Sequence, residues 1–323
     1  MELKKHKEYS KLRLQELRNQ ISNIEELRKN ELCVFTTGSY GRLEASENSD
    51  IDLFFIDTNP DSLTSNIDKT IINSEIIKIC RSFDLPEFSK DGLFLKIHSL
   101  SEIKLQLGSP KDDYNNYFTT RLLLLLESQP IYNKELYEKS IDEIIESYFV
   151  DFHDHTKNFK PIFLANDIIR FWKTLCLNYE HRRRRKKNDL EMPKNEKIVA
   201  HSKNLKLKFS RKLIVFSFIL KLVDLKGTIT REDVRKIVLM TPIERLESLK
   251  DSNPEVGGKI QKAILSYQWF INKTQIPSTE MLEWISDRDE RNDAFDKSRK
   301  FGDEIYDILD SVDKQSIISK LLI

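Results

Sequence analysis

The chain has 323 residues, which is long enough for two domains that each bury a sizeable core. Its 53 lysines and arginines balance 52 aspartates and glutamates, so the net charge of +1 excludes a general attraction to nucleic acid or to anionic membranes. No apolar run approaches the about 20 residues that a membrane span needs, and the polar, basic start does not look like a secretory signal, so we expect a cytoplasmic protein without membrane contact.

The first third of the chain predicts one helix and then a small sheet. Apolar residues recur at helical spacing within residues 1–30, at Leu12, Leu14, Leu17, Ile21, Ile24 and Leu27, which predicts an amphipathic helix. Short β-type runs at 33–36 and 51–56 enclose a glycine turn and a polar link, and a helical pattern at 65–81 precedes a third apolar run at 93–97. This order predicts a small mixed sheet flanked by helices.

From about residue 101 onward the pattern is helical. The predicted helices cover 117–127, 135–148, 163–179, 206–225, 231–239, 256–272 and 301–322, and the whole chain has only eight glycines. The segment 182–204 is highly charged, contains Pro193 and lacks a sustained apolar face, which predicts a linker. We therefore expect an α/β protein with a helix at 1–30, a sheet domain at 31–105 and a helical bundle at 106–323.

Two short motifs on the first two predicted strands indicate chemistry. The turn at 38–41 begins with glycine, which lets the backbone approach a phosphate, and Ser39 offers an amide and a hydroxyl as donors. Asp50 and Asp52 are two residues apart on a strand, so both carboxylates point to one face while Ile51 points to the other. Carboxylate oxygens are ligands that Mg²⁺ prefers. Together the motifs predict a site for a nucleoside triphosphate and its magnesium.

The stretch from 38 to 56 resembles the signature of the polymerase-β-type nucleotidyltransferase superfamily, and within it most closely the uridylyltransferases of nitrogen-regulatory signal proteins and their relatives. Those proteins carry a glycine pair or Gly-Ser, then Tyr-Gly-Arg, a glutamate and Ser-Asp-Ile-Asp-Leu, which residues 38–44 and 49–53 match. A weaker similarity covers His98-Ser99-Leu100, Asp113 and the leucine-rich segment 122–127. The resemblance spans about residues 30–135.

The resemblance implies a reaction and roles for five residues. Asp50 and Asp52 are expected to hold two Mg²⁺ ions, Gly38 and Ser39 to cradle the triphosphate, and Arg42 to support the turn or the phosphates. An acceptor hydroxyl would attack the α-phosphate of the nucleoside triphosphate, and pyrophosphate would leave. The acceptor stays open among a protein, a tRNA-like RNA and a small molecule, and the base stays open among ATP, UTP, CTP and GTP.

One departure from the family's pattern bears on turnover. Many members have a third carboxylate on a neighbouring strand, which serves as a metal ligand and as the base toward the acceptor. The run at 93–98 contains no acidic residue, and Asp57 and Asp91 lie outside the expected place. Either Lys96 or His98 faces the site instead, or His98 is a structural histidine at a strand end.

Basic residues in the helical half are candidates for phosphate contacts. Lys173 shares a helix face with Arg170 and Thr174, and Lys208 and Arg211 open an otherwise apolar helix together with Lys206 and Lys212. We expect Lys173, Lys208 and Arg211 to contact the nucleotide, the alternative being cations that extend over a bundle surface. The run 181–187 contains four consecutive arginines, which indicates either an RNA-binding patch or a solvated loop.

Two other classes of function stay open. The missing third carboxylate is compatible with a catalytically weak, nucleotide-binding regulator. The amphipathic first helix and the bundle are compatible with an interaction module, for instance one half of a toxin and antitoxin or defence pair.

Overall fold

The computed structural model describes residues 2–60, 63–88, 92, 95–188 and 194–313. They divide into two compact units. The first unit comprises Met1–Asp154 and Arg231–Thr241, and the second comprises His155–Thr230 and Pro242–Ile323. The predicted division after residue 105 therefore falls inside the first unit.

The elements up to residue 154 contain all the described strands. In chain order they are α1 (Glu2–Ile21), α2 (Glu25–Lys29), β1 (Leu32–Thr37), α3 (Gly38–Gly41), β2 (Asp52–Asp57), α4 (Asn66–Ser82), β3 (Ile97–Ser99), α5 (Leu100–Leu105), α6 (Pro110–Tyr114), α7 (Tyr117–Leu126), β4 (Gln129–Tyr132), α8 (Lys134–Glu146) and a 3-10 turn at Val150–Asp154.

The remaining described elements are helical. They are α9 (Ile162–Asn188), α10 (Lys194–Lys206), a π-helical turn at Leu207–Arg211, α11 (Lys212–Asp224), α12 (Arg231–Leu239), α13 (Pro242–Ser252), a 3-10 turn at Pro254–Val256, α14 (Gly257–Thr274), α15 (Ser278–Ser286) and α16 (Arg288–Val312). Among these, α12 belongs to the first unit. The chain is thus mixed α/β with a small sheet and a mainly helical remainder, as predicted.

The sheet has four described strands in the order β3-β2-β1-β4. β1 runs antiparallel to both β2 and β4, while β3 runs parallel to β2. Every residue of β1 is buried, as expected for a central strand. The sequence patterns did not predict β4, a four-residue strand that contains Pro130. Proline has no amide hydrogen for a ladder and is tolerated on an edge strand, which is where β4 lies.

The first thirty residues form two helices, so the predicted single helix over 1–30 is wrong. The chain leaves α1 after Ile21, where the Ser22 hydroxyl donates to the Arg18 carbonyl, and Ile24 adopts extended backbone before α2 begins. The apolar face is otherwise as predicted, because Leu14, Leu17, Ile21, Ile24 and Leu27 are buried in the core of the first unit. Leu12 is the exception, with 64% of its surface exposed.

Most predicted helices correspond to observed ones. The ranges 65–81, 117–127, 135–148, 163–179, 231–239 and 256–272 correspond to α4, α7, α8, α9, α12 and α14. The range 206–225 covers the π-helical turn and α11, and 301–322 covers the second half of α16, with residues beyond 313 outside the described part. The third predicted strand is displaced, since β3 begins at Ile97 and residues 93 and 94 lie outside the described part.

The segment 182–204 was predicted as a linker, and this is wrong for its described residues. α9 continues to Asn188 and α10 begins at Lys194, while residues 189–193 lie outside the described part. Arginine and lysine are good helix formers, so a charged run without an apolar face can continue a helix. The Arg183 guanidinium also pairs with Glu180 at 2.7 Å, one turn earlier on α9.

The second unit has an aromatic core built around the π-helical turn. The ring of Phe209 stacks on Phe270 at 4.6 Å and on Phe301 at 5.0 Å between centroids. Next to it, the Tyr267 hydroxyl donates to the Ser210 hydroxyl at 3.2 Å. Among the described residues, no helix combines the length and apolar character that crossing a membrane requires.

Candidate functional site

The glycine turn and Asp52 meet directly in the structure. Thr37 ends β1 opposite Asp52, the first residue of β2, so Gly38 follows at the same end of the strand pair. Gly38 has a φ of +67°, and a Cβ atom placed on it would lie 3.0 Å from Asp52 Oδ2. Glycine adopts this backbone conformation without strain and leaves the Asp52 carboxylate undisturbed. The predicted phosphate turn and one predicted metal ligand are therefore adjacent.

The two aspartates lie on the exposed side of the chain that enters β2. Asp50 is exposed and Asp52 is half-buried, whereas Ile51 and Leu53 are buried in the core of the first unit. This alternation is the one that residues two apart on extended backbone produce. The Thr36 hydroxyl donates to the Asp52 carbonyl at 3.0 Å and fixes the start of β2 against β1. The Asp52 carboxylate is thus presented from a well-anchored backbone.

The turn at 38–41 closes through its own backbone. The amide of Glu44 donates to the Ser39 carbonyl at 2.8 Å, and the amide of Arg42 donates to the Gly38 carbonyl at 3.0 Å. Ser39 is half-buried, so its hydroxyl is not sealed in the core, whereas Tyr40 packs inside the unit. The arrangement places the buried Gly38 beside Asp52 at the end of β1, and the half-buried Ser39 follows it in the chain.

Arg42 lies beneath the turn in a buried ion-pair cluster. Its Nε donates to Glu44 Oε2 at 2.7 Å, and its Nη1 donates to Glu127 Oε2 at 2.5 Å. All three side chains are nearly inaccessible to solvent. Charged groups this deeply buried are stable only when they are paired. Of the two roles expected for Arg42, supporting the turn is the one that these contacts describe, and contact with phosphates stays a prediction.

Gly41 explains why the turn and the end of α7 come so close. A Cβ atom on Gly41 would lie 2.1 Å from the Glu127 carbonyl oxygen, a distance that no side chain tolerates. Glu127 is the residue that sequence reasoning missed in this site. In the sequence it is visible only as an acidic residue that follows the five leucines at 122–126. No local sequence pattern connects it to Arg42, which lies 85 residues earlier.

The neighbouring strand supplies a histidine and no carboxylate in its described residues. His98 lies in β3 opposite Ile56 and is buried, with its ring edge-on to Tyr117 at 5.7 Å between centroids. Burial, assisted by the positive charge of Lys96, lowers the pKa of His98 to about 4. The imidazole is therefore neutral near pH 7.

Asp57, at the far end of β2, has a structural role. Its carboxylate accepts from the amide and the hydroxyl of Thr64, each at 2.7 Å, and from the Asn59 amide at 3.1 Å. It thereby closes the loop that follows the strand. Asp91 lies outside the described residues. The third carboxylate of the family's pattern thus has no counterpart in the part of β3 that the structure describes.

Two carboxylates, those of Asp50 and Asp52, are the candidate metal ligands of the site. The described part of the chain contains no cluster of three or more His, Cys, Asp or Glu side chains arranged around a common point. Mg²⁺ differs from zinc in this respect, because it keeps several waters and is held by one or two carboxylates together with substrate phosphates. Asp50 and Asp52 fit that requirement in number and type, and Asp52 Oδ2 lies 3.0 Å from the position that a Cβ atom on Gly38 would take.

The predicted phosphate-binding cations of the helical half all lie in the second unit. Lys173 is exposed on α9, and Lys208 extends over the ring of Phe295 at 5.4 Å. Burial and the nearby Arg299 lower the pKa of Lys208. Arg211 ends the π-helical turn and lines a cavity of this unit, to which Lys173 and Lys208 do not contribute. Their contact with a nucleotide stays a prediction.

The arginine run at 181–187 is helical. It lies in the last part of α9, so the loop expected as one of its two alternatives is not what the backbone forms. Arg182 and Arg183 are exposed and line the same cavity as Arg211, and the side chains of 184–187 lie outside the described part. Two of the basic segments noted in the sequence therefore share one cavity.

Comparison with known proteins adds no relative. No protein family model matches the chain, and a search of curated protein sequences found no significant match. The residues of the site are therefore the basis on which a function can be proposed.

Proposed function

We propose that the protein is a Mg²⁺-dependent nucleotidyltransferase that transfers a nucleoside monophosphate from a nucleoside triphosphate to an acceptor hydroxyl. The observation that carries the proposal is the position of Gly38 against Asp52, where a Cβ atom on residue 38 would lie 3.0 Å from Asp52 Oδ2. A phosphate turn next to a carboxylate pair is the arrangement that phosphoryl chemistry requires, because the protein's work there is positioning and charge neutralisation.

The residues of the site divide this work among them. Asp50 and Asp52 would hold Mg²⁺, and the backbone at Gly38 and the hydroxyl and amide of Ser39 would orient the β- and γ-phosphates. Bound magnesium would neutralise the negative charge that develops as pyrophosphate leaves. The ion-pair cluster of Arg42 keeps the turn in place from below. The acceptor is a protein, an RNA or a small molecule, and the cytoplasmic location expected from the sequence is part of the proposal.

The direct experiment removes both carboxylates without changing their shape. We expect Asp50→Asn/Asp52→Asn to lose nucleotide incorporation at least about a hundredfold when each labelled triphosphate is incubated with the protein, cell extract and Mg²⁺. The matched control is Glu8→Gln/Glu135→Gln, which removes two exposed carboxylates from the same unit. Labelling by the aspartate double variant at the level of this control would refute the proposal. Separation of labelled protein, RNA and small molecules identifies the acceptor.

A second candidate is a nucleotide-binding regulator with little turnover. The observation that favours it is that β3 contains no acidic residue, and that its buried histidine, His98, lies opposite Ile56 and not opposite Asp52. Calorimetry for binding, combined with an assay of pyrophosphate release, separates the two candidates. A regulator binds nucleotide and Mg²⁺ through Asp50 and Asp52 yet releases no pyrophosphate in the presence of extract, whereas the transferase releases one pyrophosphate for each nucleotide transferred.

A further inference from the structure

The second unit contains a cavity whose wall is strongly basic. It has a volume of about 360 Å³ and lies between α9, α10 and the π-helical turn. Five cationic side chains line it, namely Arg182, Arg183, Lys203, Lys206 and Arg211, against the single carboxylate of Glu196. They come from three successive elements, so the fold gathers charges that are up to 29 positions apart in the sequence.

The charges of this wall favour a ligand with more than one negative charge. Arg183 also pairs with Glu180 at 2.7 Å, which neutralises part of its charge. Among the described residues that line the cavity, and with Glu180 counted as well, cations exceed carboxylates in a concave surface, where electrostatic attraction to an anion is focused. Arginine and lysine bind phosphate oxygens through charge-assisted hydrogen bonds, which are among the strongest that proteins make.

The other lining residues are apolar or aromatic. Leu175, Val199 and Leu207 form an aliphatic surface, and Tyr179 adds a ring with the amide of Asn178 beside it. An inorganic polyanion has no apolar part that could pack against this surface. A nucleotide does, because its flat base can pack there while its phosphates contact the cations. The volume lies within the range of about 300–1,000 Å³ that is typical of small-ligand pockets.

The π-helical turn holds one of the cations in place. Residues Leu207–Arg211 depart from α-helical hydrogen bonding, and π-helical turns of this kind are frequent at functional sites. The turn is anchored from the inside, because Phe209 is fully buried and stacks on Phe270 and Phe301. Arg211 is therefore directed into the cavity from a turn that the aromatic core stabilises.

We propose that this cavity binds a nucleotide, with its phosphates on the basic wall and its base against Tyr179. The nucleotide is either free or the terminal residue of a single-stranded RNA, and both sources present the same phosphate and base chemistry. This site consists entirely of second-unit residues, so the proposal does not depend on nucleotidyl transfer at Asp50 and Asp52.

The test is a binding titration of the full-length chain with fluorescently labelled ATP in the presence of EDTA. We expect Lys203→Glu/Lys206→Glu to weaken binding at least about tenfold, because two cations that face phosphate are replaced by carboxylates. Both lysines are exposed, so the variant retains its core. The control is Lys226→Glu/Lys262→Glu, which makes the same charge change at exposed positions of the same unit outside the cavity. Equal binding by the two variants, or no binding by the unmodified chain, would overturn the proposal.

A second variant tests the base. We expect Tyr179→Leu to weaken binding of ATP about tenfold, as loss of one stacking contact does, while competition by inorganic tripolyphosphate is unchanged. An equal effect on both ligands, or none on ATP, contradicts a nucleotide site. Competition by a five-nucleotide single-stranded RNA stronger than that by ATP assigns the terminal nucleotide of RNA, and the reverse order assigns a free nucleotide.

The same titration on Asp50→Asn/Asp52→Asn separates the two proposals. We expect this variant to bind in EDTA as the unmodified chain does. If it fails to bind, the labelled nucleotide occupies the first unit and the cavity proposal is wrong, whatever the outcome of the incorporation assay.

Discussion

At the residue scale, the most constrained position of the candidate site is Gly38. Two independent restrictions act on it, a left-handed φ of +67° and the Asp52 carboxylate at 3.0 Å from the position of a Cβ. The first restriction concerns the backbone and the second concerns a neighbouring side chain. Their effects can be separated, because Gly108 has a similar φ of +78° and nothing within 4 Å of its Cβ position.

We expect Gly38→Ala to reduce nucleotide incorporation far more than stability. The left-handed conformation costs a non-glycine residue about 1–2 kcal/mol in the free energy of unfolding, which urea denaturation measures. The added methyl group also displaces the Asp52 carboxylate and narrows the approach of a phosphate, so incorporation of labelled nucleotide falls at least about tenfold.

The control for this change is Gly108→Ala, which carries the same backbone strain without the contact to Asp52. It should lose a similar amount of stability and keep its incorporation activity. A parallel loss of activity in both variants would show that strain alone accounts for the effect of Gly38→Ala.

His98 gives the first unit a pH-dependent stability. The pKa of His98 is about 4 in the folded protein, whereas an unburied histidine has a pKa of 6.5. Between these two pH values the unfolded chain therefore binds one proton more than the folded chain. The stability associated with neutral His98 is complete above about pH 6.5 and is lost as the pH falls to about 4, a difference of roughly 3 kcal/mol. We expect His98→Gln to flatten the pH profile of the free energy of unfolding in this window.

Urea denaturation at several pH values, with the far-UV circular dichroism as signal, measures this effect. Other groups titrate in the same range, so the quantity to compare is the difference between the unmodified chain and each variant. His153→Gln serves as the reference because His153 is exposed in the same unit. A profile for His98→Gln that runs parallel to that of His153→Gln would contradict the assigned burial of His98.

At the element scale, α12 completes the first unit although the chain enters and leaves it from the second. Its Arg235 donates to Asp142 Oδ1 and Glu138 Oε2 of α8, each at 2.8 Å, and Arg231 pairs with Glu146 at 2.6 Å. Val234, Ile237 and Val238 are its buried apolar residues. The helix thus packs as α8's partner through both ion pairs and apolar side chains.

We expect Val234→Ala/Ile237→Ala to destabilise the first unit selectively. Removing these buried groups costs about 2–5 kcal/mol in total, because cavities remain where the side chains were. All three tryptophans, Trp172, Trp269 and Trp284, belong to the second unit. The midpoint of denaturation should therefore fall when circular dichroism is followed and stay nearly constant when tryptophan fluorescence is followed.

The reverse result is expected for Val215→Ala/Ile219→Ala on α11, since both residues are buried in the second unit. That variant should shift the fluorescence midpoint. The α12 variant could instead shift the fluorescence midpoint as much as the circular dichroism midpoint. In that case α12 stabilises both units, and the two units do not unfold independently.

The elements also show how far the sequence alone could be interpreted. Helices with a regular apolar face, such as α4 and α12, are predictable because their apolar residues recur with the period of an α-helix. β4 is not, since four residues with a central proline carry no period, and its pairing with β1 depends on contacts almost a hundred positions away. The charged end of α9 was misjudged for a related reason, because helix propensity without an apolar face leaves no periodic signal.

At the scale of the whole molecule, long-range contacts determine what the motifs alone leave open. The sequence places Asp50 two residues before Asp52, and their spacing suffices to predict a shared face. It contains no sign that Glu127 lies under Arg42, or that Arg182 and Arg211 line one cavity, because such neighbours are defined only after the chain has folded. The shared face of the two aspartates was therefore predictable, whereas the residues that pack and pair behind the motifs were not.

The position of Pro130 has a consequence for the behaviour of many copies of the chain in solution. β1 is the kind of apolar β-forming segment that pairs readily with strands of other molecules when it is accessible. In the folded sheet it is covered by β4, an edge strand whose Pro130 has no amide hydrogen to donate and whose Pro130 carbonyl already accepts from Arg18 Nε at 2.9 Å. Pro130, which made β4 hard to predict from the sequence, is thus expected to oppose intermolecular strand addition and aggregation.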